Sequence, residues 1–331
     1  MIRASLIGLA VVCLSQWAHA EEANVGAVGN VGAAPVTSTG GAERFASPNG
    51  QLGAGLTASP EQKGRAFVEL GFGRAATSNS QDAGGGISVD AETHFNVIPI
   101  IVGGGYKITP NLELVAMLPL GWGNFGYSLT ATGVPGFNSI DQSESGFGVG
   151  NLHLGLSYLS FGSPVRFMAG GAVQYGPWYK DYDAGAGVGA AYGHPASGGQ
   201  DIGLYYPEVL SIVTPGRVEY ETNQLVLAAD AALGLHIPTN GGDVKFSIQV
   251  APGVGYYVTP TAQVGLRVPF AWLPTESGSA ATYLAVEPYG RFDFGAMFLD
   301  ARFTLNIDEP YGFSFDSGKL WAIHAGLGSS F

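Results

Sequence analysis

The chain has 331 residues, only 12% of them charged, with 26 acidic against 14 basic side chains and a formal net charge of −12. Its mean hydropathy is nonetheless positive, +0.19, whereas soluble globular proteins carry charge on roughly a quarter of their residues. An acidic chain without a basic stripe makes nucleic acid an improbable partner, and the single cysteine, Cys13, leaves no disulfide framework and no thiolate metal site.

Residues 1–20 read as a secretory signal: one cation at Arg3, an apolar run from Leu6 to Leu14, and the small-x-small site Ala18-His19-Ala20. The mature chain is then expected to begin at Glu21, with thirteen cations and no cysteine. Beyond Ala20 no apolar run reaches the roughly 18 residues of a membrane-spanning helix. Residues 21–63 are rich in Gly, Ala, Ser, Thr and Pro, and read as a flexible periplasmic tail.

From residue 64 to 331 the sequence alternates with period two. Leu152, Leu154, Leu156 and Tyr158 fall on one face and Asn151, His153, Gly155 and Ser157 on the other. The division recurs in Val244, Phe246, Ile248 and Val250 against Lys245, Ser247 and Gln249, and again from Gln263 to Trp272. In an exported chain, repetition of this pattern predicts an all-β transmembrane antiparallel barrel in the outer membrane of a Gram-negative cell, apolar to lipid and polar to lumen. Periplasmic turns are expected to be short and external loops longer, with outer-membrane lipids as the surroundings.

Strands are predicted at about 64–76, 92–107, 111–123, 146–160, 164–177, 204–213, 218–237, 244–258, 262–273, 282–293, 297–307 and 319–331. Tight turns are predicted at Thr109-Pro110-Asn111, Thr259-Pro260-Thr261 and Thr214-Pro215-Gly216, where proline presets the backbone angle. The total is twelve, an even number as single-chain bacterial barrels require. The strand 204–213 is the uncertain member, because Pro207 and Glu208 spoil its alternation; without it parity gives ten. Trp321, Ile323, Leu327 and Phe331 fall at alternate positions near the end of the chain, a pattern resembling the terminal-strand signal that outer-membrane assembly machinery recognises.

The same face assignment points Arg166, Lys245, Arg267, Glu287, Arg291, Asp293, Asp300 and Arg302 into the lumen. They read either as a charged constriction selecting solutes or as a ladder of ion pairs filling a narrow barrel, and one set of side chains can do both. His153, His236 and His324 also point inward, but their spacing follows no metal-ligand pattern and hydrogen bonding is the expected role. Gly84-Gly85-Gly86 and Gly103-Gly104-Gly105 lack the strand-to-helix setting and lysine of a phosphate loop. No nucleophile turn or zinc helix is present, so neither an enzyme nor a cofactor or metal is expected. An external loop at about 178–203, with Trp178, Tyr179 and Tyr182 amid Gly and Asp, fits either a loop that narrows a pore or an exposed recognition surface.

The stretch Tyr106 to Trp122, followed by Gly146-Phe147-Gly148-Val149-Gly150-Asn151 and the run to Leu156, resembles the family of outer-membrane proteins named for transport in the meta-cleavage pathway of phenol degradation. That family commonly has Asp where this chain has Asn151. The resemblance covers roughly residues 95–175 and implies passage of small, aromatic or apolar molecules, without binding residues to carry over. The expected function is a channel or transporter for passive passage of small solutes; the alternative is a closed structural or ligand-binding barrel acting through its external loops. Oligomeric state is not legible in the sequence.

Overall fold

The computed structural model describes residues 63–134, 139–160, 164–176, 202–204, 208–222, 224–239, 241–274, 280–294, 296–307 and 320–331. The predicted signal and all of the predicted tail except Lys63 lie outside the described residues, as do Trp178, Tyr179 and Tyr182.

Fourteen β-segments follow in order: β1 Gly64–Gly84, β2 Ile87–Thr109, β3 Leu112–Thr132, β4 Ile140–Val149, β5 Leu152–Ser160, β6 Val165–Tyr175, β7 Val209–Glu221, β8 Leu225–Pro238, β9 Lys245–Thr259, β10 Ala262–Arg267, β11 Phe270–Pro274, β12 Ala280–Asp293, β13 Met297–Asn306 and β14 Trp321–Ser330. β4 and β5 both pair with β3 and form one barrel strand broken at Gly150–Asn151. Across the break the register slips by one residue, from Leu120↔Val149 to Met117↔His153, which is a β-bulge. β10 and β11 likewise form one strand, interrupted beside Pro269, which has no amide hydrogen to donate, while the register to β9 and β12 is kept. Twelve antiparallel strands result, and β1 closes the ring on β14 from Arg65↔Ser330 to Arg74↔Trp321.

Period-two alternation decides which side chains meet lipid. Along β1, Val68, Leu70 and Phe72 are exposed on the outside while Arg65, Phe67 and Glu69 are buried inside. Aromatic side chains mark both ends of the outer apolar band: Tyr106, Tyr158, Tyr256 and Phe292 at the end of the tight turns, and Phe72, Trp122, Phe147 and Trp321 at the opposite, loop end. Phe72 packs on Trp321 at 5.7 Å between ring centroids. An apolar belt with aromatic girdles around a polar interior is what a bilayer selects for. The chain is a transmembrane β-barrel.

Two features differ from the pattern expected from sequence. Thr214-Pro215-Gly216 is no turn: β7 runs straight through it, and the chain reverses between β7 and β8, where the Leu225 amide donates to Thr222 Oγ1 at 3.1 Å. The descending strand is therefore Val209–Glu221 rather than 204–213, and the count stays at twelve. β1 and β2 also run far beyond the predicted 76 and 92, joined by a tight turn in which Gly85 and Gly86 adopt φ of +67° and +80°, accessible to glycine without strain. Beyond Arg74, β1 has no partner in β14, and β4 pairs only with β3 among the described residues. The upper halves of β1 to β4 thus form a four-stranded sheet standing clear of the barrel's loop end. It extends by about ten residues of β1, on the order of 30 Å.

Candidate functional site: a charge-filled lumen beside an open seam

The turn-end half of the lumen is filled by ion pairs. Starting on β6, Arg166 meets Glu221 at 2.7 Å and Glu219 at 3.6 Å. Glu219 is bonded to Arg217, whose guanidinium reaches Asp230 on β8 at 2.6 Å. Asp230 also holds Arg267 of β10 at 2.9 Å, and Arg267 holds Glu287 of β12 at 2.8 Å. From there Arg302 of β13 spans Glu287 at 3.5 Å and Glu69 of β1 at 2.5 Å, and Glu69 meets His324 of β14 at 2.9 Å. A continuous chain of polar pairs therefore runs around the inside of the wall and touches eight of the twelve strands. Nearly all its side chains are buried. A void among Arg217, Arg267, Tyr289 and Arg291 is about 10 Å³, at the threshold for a single water.

Glycine makes this filling possible. A Cβ on Gly253 of β9 would lie 2.8 Å from Arg267 Cγ, so the arginine stem can pass over β9 to Asp230 of β8 only because β9 offers no side chain there. Nearer the turn end, Gly105 gives the same room to a second, separate pair, Arg65 with Glu113, which are hydrogen-bonded through both guanidinium nitrogens facing the carboxylate.

Of the residues predicted from sequence, Arg166, Arg267, Glu287 and Arg302 are brought into the chain. Arg291 and Asp293 form their own pair at 2.9 Å, with the Arg291 guanidinium 5.2 Å above the Phe298 ring. Asp300 is buried beneath Gly326, and its Oδ1 has no hydrogen-bond partner among the described residues. Lys245 stands at the loop end of β9 opposite His236, away from the chain. Trp321, Ile323, Leu327 and Phe331 line the outer face of the last strand and its end. The Phe331 carbonyl accepts from the Lys63 and Gly64 amides, and its own amide donates to the Gly64 carbonyl.

Sequence reading missed Arg65, Glu69, Glu113, Arg217, Glu219, Glu221 and Asp230. Glu69 and Asp230 were within reach, since each sits in phase with buried neighbours and out of phase with the lipid-facing Leu70, Leu227 and Leu233. Arg217 and Glu219 were hidden by the mistaken turn.

The loop-end half carries hydrogen-bonded neutral side chains on one side, with Lys245 beside them. His153 Nδ1 lies 3.0 Å from Gln174 Nε2, and His236 lies between Ser211 Oγ at 2.8 Å and Ser247 Oγ at 2.7 Å. Into this half drops a 3-10 turn, Ile202–Leu204, the described end of the long loop. The bulge at Gly150–Asn151 receives it: the Asn151 amide donates to the Leu204 carbonyl at 3.0 Å, and Asn151 Nδ2 donates to the Gly203 carbonyl at 2.6 Å. Leu204 is completely buried. The described part of the loop therefore narrows the lumen from above.

The β6–β7 ladder lapses at one place while its register is kept, and Pro215 packs over Gly170 there, its Cγ 3.3 Å from where a Cβ on Gly170 would sit. Pairing of β6 with β7 holds from Val165↔Tyr220 to Ala169↔Gly216 and resumes at Ala172↔Val213. Gly170 and Gly171, which carry no side chains, face Pro215 and Thr214 across the gap, and Pro215 has no amide hydrogen to give. Inside the gap lie Met168, Ala172 and Val213, all buried and apolar. Outside it lies a groove of about 330 Å³ lined by Leu114, Leu154, Leu156, Gly171, Val173 and Ile212. A similar outer groove of about 360 Å³ lies at Pro288 and Phe303, where the β12–β13 ladder also lapses, but the inner side there is closed by Glu287 hydrogen-bonded to Thr304 at 2.7 Å.

No family model matches the chain, and no curated protein sequence matches it. Solved structures similar to it include an outer membrane channel from Pseudomonas putida F1, at 12% identity and a TM-score of 0.45, covering 80% of this chain and 95% of that one. The Pseudomonas putida toluene transporter TodX is similar at 10% identity and a TM-score of 0.42, over 81% and 89% of the two chains. The transport unit of the autotransporter AIDA-I from Escherichia coli gives 9% identity and 0.41, over 82% and 91%. At such distances the fold assignment rests on the closed ladder of the barrel itself.

Proposed function

We propose that this barrel lies in the outer membrane of a Gram-negative cell, turns toward the periplasm and loops outside, and passes small apolar solutes that leave through its wall at the β6–β7 seam. One observation carries the reading: the ion pairs lining the lumen are buried, which we read as a closed axial path, while the β6–β7 ladder lapses between buried apolar side chains on the lumen side and an apolar groove on the lipid side. Straight passage would require breaking buried ion pairs, at about 3 to 5 kcal/mol for each partner stranded. An apolar molecule crossing at the seam breaks none of them. Its transfer into the groove is favoured by about 25 cal/mol per Å² of surface removed from water.

The resemblance of Tyr106–Trp122 and Gly146–Leu156 to transport proteins of phenol degradation supports a small aromatic solute. The predicted signal at residues 1–20 supports export. Of the lumen charges predicted from sequence, Arg166, Arg267, Glu287 and Arg302 act in this reading as part of a permanent floor that turns solute sideways, and the assembly machinery is met only during insertion.

The test fills the seam. A Cβ on Gly171 meets nothing within 4 Å, so Gly171→Leu should fold normally and occupy the groove. Uptake of toluene by cells whose only such protein is the variant should fall toward that of cells lacking it. Gly290→Leu, in the other groove, where a Cβ meets only the Gln263 carbonyl at 3.9 Å, should leave uptake unchanged. Equal uptake by wild type and Gly171→Leu would remove the seam from the route, and a wild type indistinguishable from the deletion strain would favour a closed structural barrel.

A further inference from the structure

The sheet that stands beyond the barrel has two unlike faces. On the outside, β2 and β3 present Ser88, Asp90, Glu92, Ser128 and Thr130, as expected of a surface in water. The inside of β2 and β3 carries Val89, Ala91, Phe125, Tyr127 and Leu129 around Thr93, with Ile140 of β4 directly opposite Leu129 and the polar Gln81 of β1 opposite Val89. A hairpin solvated on both sides has no use for an apolar face, and contiguous apolar surface of this kind marks a binding site.

We infer that this inner face is a capture surface for a small, uncharged, apolar solute, preferably aromatic, ahead of its entry to the lumen; the inference rests on the passage function proposed above. The occupant follows from three features. The face continues in the same alternation into the lumen wall, past Thr93 through Phe95 to Val97 and Ile101 on β2, so a solute held on it lies at the entrance to the lumen. At the join, the Phe95 and Phe125 rings pack at 4.9 Å and 39°, and the half-exposed Phe125 offers a ring face to a planar guest. On the flanking strand Glu144 stands opposite Phe125 and Gln142 opposite Tyr127 on the same face, a polar margin whose carboxylate repels anions and leaves neutral molecules favoured.

The experiment uses full-length protein in nanodiscs with toluene as the probe, read by saturation-transfer NMR, together with toluene uptake in cells. Leu129→Gln with Ile140→Gln should weaken the transfer signal and raise the half-saturating toluene concentration for uptake about tenfold, as expected from losing the burial of about two methylenes. The maximal rate should stay within about twofold, because these side chains lie far from the seam. Val89→Thr keeps shape while adding a hydroxyl, and should shift half-saturation the same way in a variant that folds as wild type does. Thr130→Val on the outer face should change nothing.

Loss of maximal rate at unchanged half-saturation would overturn the inference, because the face would then serve the route and not capture. Absence of any toluene contact on the wild type would also overturn it and assign the face to cover by the chain's own loops. Toluene contact on this face in a protein that supports no uptake would leave capture standing and sink the passage function instead.

Discussion

Asp230 is the residue on which the lumen's electrostatics turn. Its two carboxylate oxygens hold different arginines, Arg217 and Arg267, so it links the β6–β7 part of the chain to the β10–β12 part. Replacing it with Asn leaves two buried guanidinium groups with half their partners gone. Asp230→Asn is expected to destabilise the barrel by about 3 to 5 kcal/mol, measured by urea titration of protein refolded in lipid vesicles. Replacing Arg267 by Met alone should cost a comparable amount by stranding Asp230 and Glu287, whereas Asp230→Asn together with Arg267→Met should cost less than the sum of the two. Such coupling was partly legible in the sequence. Alternation alone places Arg267, Glu287 and Arg302 on inward faces, and any barrel would bury them. What alternation cannot give is register, and the pairing of Arg267 with Asp230 depends on how far β10 is staggered against β8 across the intervening β9.

Among the elements, the two irregularities in strand geometry are the informative ones. The bulge at Gly150–Asn151 frees an amide from the ladder, and the Ile202–Leu204 turn takes it. Asn151→Ala removes the side-chain bond to the Gly203 carbonyl while keeping the bulge, so the Asn151 amide should exchange its hydrogen faster, by roughly tenfold for a bond worth about 1 kcal/mol or slightly more. An unchanged exchange rate would mean that the bulge alone holds the turn. The glycine-rich run before Asn151 advertised an irregularity in the sequence, but its partner lay some fifty residues away and carried no local sign. The Thr214-Pro215-Gly216 segment misled for a related reason. Its residues are those a turn requires, and the same chemistry also opens a ladder when hydrogen-bonded strands continue on both sides. The real reversal at Thr222 uses a side-chain hydroxyl, a weaker sequence signal than proline with glycine.

For the whole molecule, the proposed closed floor and lateral exit make distinct predictions. In a planar bilayer the proposed closed barrel should show essentially no steady ion conductance, and Arg267→Glu should not create a selective pore, since the inward charges are buried against one another. Strand number, closure and the lipid-facing set were legible because period two and parity are global constraints that tolerate errors in any one strand. The projecting sheet was not, because small polar residues at 77–86 look like loop whether or not their backbone is paired.

The measurement that bears most directly on the account is a reversible staple across the seam. Gly171→Cys with Thr214→Cys places the pair opposite each other in the β6–β7 register, in a chain whose one native cysteine, Cys13, falls in the predicted signal. Toluene uptake should be lost when the pair is oxidised and restored by reductant in the same cells, with wild type indifferent to both treatments. Undiminished uptake through a barrel shown to be crosslinked would contradict passage through this wall.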